Sequence, residues 1–362
     1  MSHWKETAEI LDRLAELSGQ GERAAVATVI GISGSAFRRP GAKFLIEARG
    51  ATLGSISGGC LEADVRDVAA AVLETGRPAL RHYNTGSDED VVWGLGLGCN
   101  GMVDVFVQPA TEGAWPALAG GLRCRLAGDA AVALATVVDD GEGLGAMMAV
   151  ESGGATEGSL GDTELDRQVA LLARSWLPAG RSQVHPVAGR RVFLEVLPPP
   201  FHLLICGAGE DARPLAAYAS DAGFRVAVFD HRDALLDPAH YAAAVRLVSA
   251  RADQADVVLP PAERSLAVVK THSLTHDREW LRRLLAAGLP YVGVLGPRER
   301  TESLLRDVGA AGDPRVYGPV GLDIGADGPR QVAVAILAEL LAFTAHREPI
   351  HLAERREPIH AV

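Results

Sequence analysis

One stretch in the second half of the chain constrains the fold more than any other. An apolar segment at residues 203–206 ends in the pattern Gly-x-Gly-x-x-Ala at residues 207–212, and a helical pattern follows. A second apolar segment, residues 224–229, closes on Asp230. This is the order and spacing of a strand, a glycine turn, a helix and a second strand in a dinucleotide-binding unit. The pattern predicts a Rossmann-type domain with a parallel sheet.

Four residues of this region are candidate contacts for a nucleotide. Gly207 permits the tight turn, and Gly209 lets a pyrophosphate approach the backbone at the helix N-terminus. Asp230 is placed to accept hydrogen bonds from a ribose diol. His272 follows a later strand, and the carboxyl ends of such strands face the ligand crevice. The pattern also fits a strand-to-helix turn that binds no ligand, and it does not separate NAD from NADP.

Composition is typical of a globular protein and excludes several kinds of partner. The chain has 362 residues, of which 48% are hydrophobic and 22% charged, enough for two or three domains. Its net charge of −11 disfavours nucleic acid and anionic membranes as partners. The sequence shows neither a membrane-spanning run nor a signal-peptide core, so we expect a cytoplasmic protein. The four cysteines form no Cys-x-x-Cys pair, which argues against a disulfide framework or a structural zinc site.

The remaining patterns predict an N-terminal α/β domain ahead of the Rossmann-type domain. Helical spacing over residues 4–17 precedes a buried strand at residues 24–30. Three consecutive prolines at residues 198–200 mark a stiff boundary. We therefore expect an N-terminal domain at 1–112, a middle α/β segment at 113–197, a Rossmann-type domain at 198–345 and a flexible tail at 346–362.

Two of the four cysteines follow glycine clusters and are candidate ligand-binding thiols. Cys60 comes directly before a helical pattern at residues 61–73. It therefore lies at or near a helix N-terminus, where the helix dipole stabilises a thiolate. Cys99 lies in a second cluster, next to Gly98. Cys206, inside a predicted strand, and Cys124 are expected to be small buried side chains instead.

A basic loop lies between these features. Arg38, Arg39 and Lys43 form either a phosphate clamp or a solvated turn. If this loop folds toward Cys60, then backbone N–H groups, basic side chains and a thiolate would surround one pocket. Such a pocket suits an anionic ligand with a soft centre, or sulfur chemistry.

These motifs together resemble the xanthine dehydrogenase accessory family of the XdhC/CoxI type. The resemblance covers most of the chain and is weakest in the middle. Its most specific parts are Ser-Gly-Gly-Cys at 57–60 and Gly-Leu-Asp-Ile-Gly-Ala at 321–326. Gly-Leu-Gly-Cys at 96–99, Gly-Ala-Gly at 207–209 and Thr-His at 271–272 also match.

The resemblance implies a cytoplasmic maturation factor for molybdenum hydroxylases, a cofactor-binding chaperone more than a catalyst. Such a protein binds the molybdenum cofactor, as molybdopterin or its dinucleotide form, while a terminal sulfur is added. It then assists insertion into an apo-enzyme of the xanthine dehydrogenase or CO dehydrogenase type. The implied partners are that apo-hydroxylase, a cysteine desulfurase and a second copy in a homodimer. Cys60 and Cys99 become candidate cofactor-contacting thiols and candidate molybdenum contacts.

Two alternatives remain open from the sequence. The glycine turn also fits an NAD(P)-dependent oxidoreductase, although no convincing acid–base set accompanies it. Cys60 also fits a thiol or sulfur-transfer protein. Across these interpretations the candidate cofactor-binding residues are Arg39, Lys43, Ser57, Gly58, Gly59, Cys60, Gly98, Cys99, Gly207, Gly209, Asp230 and His272.

Overall fold

A computed structural model describes residues 2–34, 37–84, 101–254 and 258–355 of the chain. The chain divides into two compact units, one spanning Ser2–Pro199 and the other Pro200–His351. A search of the described residues found no helix with the length and apolar character needed to span a membrane.

The N-terminal unit begins with helix α1 (Ser2–Gln20) and a five-stranded sheet in the order β3-β2-β1-β5-β4. Every neighbouring pair of strands in this sheet is antiparallel. Helix α2 (Glu62–Thr75) connects β3 to β4, and its buried valines pack on one face of the sheet. The strands are β1 (Ala24–Gly34), β2 (Lys43–Glu47), β3 (Thr52–Gly54), β4 (Ala79–Asn84) and β5 (Gly101–Pro109).

A second antiparallel sheet follows, in the order β8-β7-β6-β10-β9. Helix α3 (Ala114–Ala127) precedes it, and helix α4 (Thr163–Trp176) connects β8 to β9. The Asp162 side chain accepts a hydrogen bond from the Leu165 N–H and caps α4. The strands are β6 (Val132–Val137), β7 (Met147–Glu151), β8 (Thr156–Ser159), β9 (Gln183–Val187) and β10 (Arg190–Leu197).

The two sheets with their helices are copies of one module. Both have the element order helix, three strands, helix, two strands, and both have the same strand order. Gly54 and Gly158 occupy equivalent positions, each with φ +83°. A Cβ on Gly54 would lie 2.4 Å from the Lys43 carbonyl oxygen, and one on Gly158 would lie 2.5 Å from that of Met147. We call α1 to β5 the first module and α3 to β10 the second module.

The repeat has left short traces in the sequence. Ala-Thr-Val recurs at 27–29 and 135–137, Gly-Ala at 41–42 and 145–146, and Thr-x-Gly-Ser at 52–55 and 156–159. The two copies of Gly-Ala and the two copies of Thr-x-Gly-Ser are separated by the same number of residues. The same offset relates the residues that lead into the two following helices. Residues 55 and 62 of the first module therefore correspond to residues 159 and 166 of the second.

One hydrophobic core joins the two modules. Leu11 and Leu14 of α1 and Trp115 and Leu122 of α3 are buried together with residues from both sheets. Because this core draws on both modules, the regions expected at 1–112 and 113–197 pack as a single body.

A polar pair crosses the same interior. The Lys43 ammonium and the Glu195 carboxylate form an ion pair in which the side chains are 1% and 2% exposed. The register places Gln108 and Met147 at the equivalent positions of the repeat. The side-chain amide of Gln108 lies 3.2 Å from the Met147 sulfur. The interior of the repeat thus holds a charged pair, Lys43 and Glu195, and at the equivalent positions a neutral pair, Met147 and Gln108.

The C-terminal unit is a parallel sheet in the order β13-β12-β11-β14-β15-β16. Numbered from its own first strand, this is the 3-2-1-4-5-6 order of a Rossmann fold, and the strand order reverses between β11 and β14. The strands are β11 (His202–Cys206), β12 (Arg225–Asp230), β13 (Arg246–Ser249), β14 (Ser265–Val269), β15 (Tyr291–Val294) and β16 (Val316–Tyr317).

Helices cover this sheet on both faces, which is why its central strands are continuous apolar runs. One core packs α5 and α8 against the sheet, and a second packs α6 and α7. The helices are α5 (Ala212–Asp221), α6 (Leu274–Ala286), α7 (Arg298–Asp307) and α8 (Pro329–Thr344). The predicted fold class, an N-terminal α/β part followed by a Rossmann-type parallel sheet, is confirmed.

Candidate functional site

The segment at residues 55–61, which we call the cysteine loop, connects β3 to α2. Ile56 and Leu61 are buried in the core beneath α2, whereas Gly58, Gly59 and Cys60 are exposed. Gly59 has φ +104°, which disfavours any residue with a side chain. Both ends of the loop are therefore fixed in the core, and its tip presents a thiol to solvent. Cys60 lies two residues before the first residue of α2, near the predicted helix N-terminus.

Glu62 holds the loop from its helical end. Its carboxylate accepts hydrogen bonds from the Ser55 hydroxyl at 2.9 Å and the Ser57 N–H at 2.9 Å, and also from the Ser57 hydroxyl. Burial raises the pKa of Glu62, but these hydrogen bonds outweigh burial and leave its pKa below the ordinary value. Ser57 is buried, and its hydroxyl also accepts hydrogen bonds from the Gly59 N–H and the Leu61 N–H, so it holds the loop that presents Cys60.

Comparison with the second module shows which parts of the cysteine loop are common to both modules and which occur in the first alone. There, the Asp166 carboxylate accepts hydrogen bonds from the Ser159 hydroxyl and the Leu160 N–H, both at 2.7 Å. Asp166 therefore does for the second module what Glu62 does for the first. By the same spacing Cys60 corresponds to Glu164, which lies in the first turn of α4. The carboxylate support is common to both modules, and the glycine pair and thiol belong to the first alone.

Two strand connections are also longer in the first module. Twelve residues separate Val29 from Ala42, which share backbone hydrogen bonds, and eight separate the equivalent Val137 from Ala146. Sixteen residues connect β4 to β5, whereas two connect β9 to β10. In the antiparallel order of the first sheet, β1, β3 and β4 all end at the same end of the sheet. The residues at which these two connections and the cysteine loop begin therefore lie at the same end of the sheet.

A hydrogen bond links two of these connections at their bases. The Tyr83 hydroxyl donates to the Asp64 carboxylate at 2.5 Å. Tyr83 is next to the last residue of β4, and Asp64 lies in the first turn of α2, four residues after Cys60. The end of β4 is thus tied to the helix end that carries the cysteine loop. Gly98 and Cys99 themselves lie outside the described residues.

The basic loop contributes less to this surface than its sequence indicates. Lys43 is buried in its ion pair with Glu195, and Arg38 forms an ion pair with Glu6. Burial is the main cause that lowers the pKa of His3 to about 3, and the nearby charge of Lys43 is the next. This imidazole is therefore neutral at pH 7 and adds no positive charge. Of the predicted clamp, Arg39 remains exposed.

The other cysteines divide differently from the prediction. Cys206 is fully buried, as predicted, and burial raises the pKa of its thiol. Cys124 is exposed, so the prediction of a buried side chain is wrong. Helix α3 packs its leucines inward and leaves Cys124 beside Arg125, on a surface cavity of about 510 Å³.

The glycine turn of the C-terminal unit has the predicted tight geometry. Gly207 has φ +122°, and a Cβ there would lie 2.4 Å from the Lys270 carbonyl oxygen at the end of β14. The turn after β11 and the loop after β14 therefore touch at the point where the strand order reverses. The structure places Gly207, Gly209 and His272 together at this edge of the sheet.

Asp230 lies at the end of β12, and its carboxylate binds groups of the protein itself. Its carboxylate accepts hydrogen bonds from the Ala208 N–H at 2.8 Å and from the Arg232 guanidinium at 2.9 and 2.8 Å. Burial opposes ionisation, but these hydrogen bonds prevail and lower the pKa of Asp230 to about 2. The carboxylate is 2% exposed.

Two charged residues at this edge were not predicted from the sequence. The Lys270 ammonium is 1% exposed and lies 2.9 Å from the Asp211 carboxylate. The same carboxylate lies 3.4 Å from Nε2 of His272, a residue with φ +62°. Two signals could have indicated this cluster: an acidic pair inside the glycine motif, and a lysine directly after a buried strand.

Together these features define a class of protein: an α/β protein with a duplicated antiparallel module, an exposed thiol loop in the first copy, and a separate Rossmann-type unit. The chain belongs to the XdhC and CoxI family. The model of that family matches residues 17–84 and 126–187, one match in each module. The model of the XdhC Rossmann domain matches residues 203–340.

Individual relatives agree with this assignment. The chain is 32% identical over 332 residues to a probable xanthine dehydrogenase subunit of Bacillus subtilis (strain 168), covering 92% of this chain and 96% of that one. A crystal structure described as a xanthine dehydrogenase from Bacillus halodurans aligns with TM-score 0.75 and 27% identity, covering 96% of this chain and 98% of that one. The uncharacterized protein YqeB of Escherichia coli (strain K12) is 30% identical over 145 residues, covering 38% of this chain and 26% of that one.

Proposed function

We propose that this protein is an accessory factor that binds the molybdenum cofactor and assists its sulfuration and its insertion into a molybdenum hydroxylase. The client would be an enzyme of the xanthine dehydrogenase or CO dehydrogenase type. Family membership supports an accessory role for an enzyme of this kind. The binding site would be the end of the first sheet that carries the cysteine loop.

The observation that carries this proposal is the difference between the two modules. Both keep the strands and the carboxylate support, but only the first has a thiol at the loop position, together with longer connections on that side. A fold needs no exposed glycine pair before a helix, because glycine is a poor helix former. The second module forms the same sheet without these features, so the fold does not require them, and we infer that they serve a ligand.

The chemistry of the residues fits the proposed ligand. When bound, the molybdenum cofactor would supply a soft metal centre and a phosphate group. The Cys60 thiol is a soft donor of the right kind. A Cβ on Gly58 or Gly59 would meet no atom within 4 Å, so a ligand can approach the backbone there. Arg39 is an exposed cation on the same module, and Cys99 is the second proposed thiol.

Metal analysis of protein purified from a molybdate-replete host tests this directly. We expect molybdenum and pterin to co-purify with the wild type and to fall at least tenfold in Cys60→Ser. Cys124→Ser is the matched control, because both thiols are exposed but Cys124 lies on α3 of the second module. A wild type without molybdenum or pterin, or equal loss in both variants, would refute cofactor binding at the cysteine loop.

Two partners follow from this function. A cysteine desulfurase would supply the sulfur, and the apo-hydroxylase would receive the cofactor; the protein itself would act as a homodimer. Size-exclusion chromatography with light scattering tests the dimer. Pull-down with a desulfurase and with an apo-hydroxylase from the same cell tests the partners, and failure of both pull-downs would contradict the maturation role.

The alternative is an NAD(P)-dependent oxidoreductase. Its support is the strand order of the C-terminal unit, which is that of nucleotide-binding Rossmann folds. A hydride-transfer screen with NADH and NADPH separates it from the first proposal, since a cofactor chaperone has no turnover in that assay.

A further inference from the structure

The C-terminal unit carries a feature that its nucleotide-binding motif does not explain. In a Rossmann fold the second glycine of the turn has no side chain, so that a pyrophosphate can approach the backbone. Here the place of a Cβ on Gly209 lies 2.8 Å from an Asp211 carboxylate oxygen and 3.6 Å from Nε2 of His272. The room normally left for a phosphate is lined by the protein's own carboxylate.

The charges at this place are already matched. Asp211 is the residue directly before α5, so its negative charge lies at the favourable end of the helix dipole. Its carboxylate also pairs with the Lys270 ammonium at 2.9 Å. The N-terminus of α5 and the Lys270 ammonium are the two groups that would attract a phosphate. The Asp211 carboxylate neutralises both of them.

The ribose position is closed in the same way. The Asp230 carboxylate is 2% exposed and accepts hydrogen bonds from the Ala208 N–H and from the backbone N–H and guanidinium of Arg232. A ribose diol would have to displace the Arg232 guanidinium to reach it. The residues present therefore do not fit a dinucleotide at either its pyrophosphate or its ribose.

We propose that Asp211 is the specificity-determining residue of this crevice and excludes pyrophosphate from it. The C-terminal unit consequently does not hold NAD, NADP or another dinucleotide at the glycine turn. Removing the carboxylate opens the turn to phosphate, because it frees both Lys270 and the end of α5. This inference argues against the NAD(P)-dependent alternative given above and does not depend on cofactor binding by the cysteine loop.

Titration calorimetry of the full-length protein with NADH tests the proposal. We expect the wild type to bind no tighter than about 1 mM, and Asp211→Ser to bind at least tenfold tighter, because one like charge is removed and one cation is released. Glu210→Gln is the matched control. It removes a negative charge from the neighbouring exposed residue and should change the affinity less than threefold.

A second pair of variants shows that the gain arises at this turn. Asp211→Ser combined with Lys270→Met should lose the gain, because no cation is left for the phosphate. If Asp211→Ser does not fold, Asp211→Asn replaces it, since it removes the charge with little change in volume; a gain of at least threefold is then expected. Micromolar NADH binding by the wild type, or no gain in the folded Asp211 variant, overturns the proposal.

Discussion

The buried pair of Lys43 and Glu195 allows a sharp test of how the N-terminal unit is held together. With side chains 1% and 2% exposed, both charges are removed from water. Replacing Lys43 alone by methionine leaves a buried carboxylate without its cation, which typically costs about 3–5 kcal/mol. The protein itself contains the neutral alternative, since methionine and glutamine occupy the equivalent positions of the repeat. We therefore expect Lys43→Met combined with Glu195→Gln to fall within about 1 kcal/mol of the wild type.

The cost of the single variant should also depend on pH. Burial raises the pKa of Glu195 despite the attraction of Lys43, and removing Lys43 raises it further. A carboxyl whose pKa is higher in the folded state stabilises the fold at low pH, and this contribution is lost as the pH rises. The cost of Lys43→Met relative to the wild type should therefore grow by about 1.4 kcal/mol for each pH unit between the folded-state pKa of Glu195 in the wild type and its higher folded-state pKa in the variant.

Hydrogen exchange read by mass spectrometry is the suitable assay, because a chain with two units gives no single unfolding transition. Peptides from β2 and β10 report on the N-terminal unit alone. A loss below about 1 kcal/mol for Lys43→Met at pH 7, or a double variant as unstable as the single one, would show that the pair is not buried as described. If Lys43 instead contacts a phosphate, the double variant would lose cofactor while keeping its stability.

Thiol labelling, glycine substitution and acid titration test the other described contacts. In native protein iodoacetamide should modify Cys60 within minutes and leave Cys206 unmodified until the chain unfolds; equal labelling, mapped by mass spectrometry, would contradict the difference in burial. Gly54→Ala should lower the stability of the N-terminal unit by about 2–3 kcal/mol, because it forces a Cβ against the carbonyl of β2 at positive φ. Gly58→Ala, where the space is open, should change stability by less than about 0.5 kcal/mol, and a similar effect of both substitutions in hydrogen exchange of the N-terminal unit would refute this reasoning. Asp230→Asn should lower the free energy of unfolding by about 1–2 kcal/mol at pH 7. Because the folded-state pKa of Asp230 is lowered to about 2, the difference in stability from the wild type should vanish as the pH falls from 4 toward 2. A difference that persists in acid would count against the described hydrogen bonds.

Local patterns determined a large part of this protein. The glycine turn between two apolar segments was sufficient to predict the Rossmann-type unit, because period, turn chemistry and strand length agree there. The regular apolar spacing of residues 163–176 predicts a helix, and the structure has α4 at the same bounds, capped by Asp162. The thiol of Cys60 at the start of a helix was also readable, because Gly58 and Gly59 interrupt helix formation just before it.

Other elements gave no comparable signal. Helix α3 was not predicted, because its alanines and glycines form no clear apolar stripe and its burial against α1 and the second sheet makes it regular. The short strands β7 to β9 were missed as well, since isolated strands depend on their neighbours in the sheet.

Tertiary structure alone decided which charges face solvent. Lys43 and Arg39 belong to one basic loop, but one is buried against β10 of the other module and the other is exposed. The internal repeat became visible through register and strand order, because the two copies share backbone geometry at more positions than they share residues. In the sequence, Asp211 is an ordinary acidic residue at the start of a helix. Its approach to Gly209 and Lys270 in the structure indicates that it occupies the place of a phosphate. A sequence specifies local conformation through nearest neighbours, whereas the partner of a buried charge is set by residues far away in the chain.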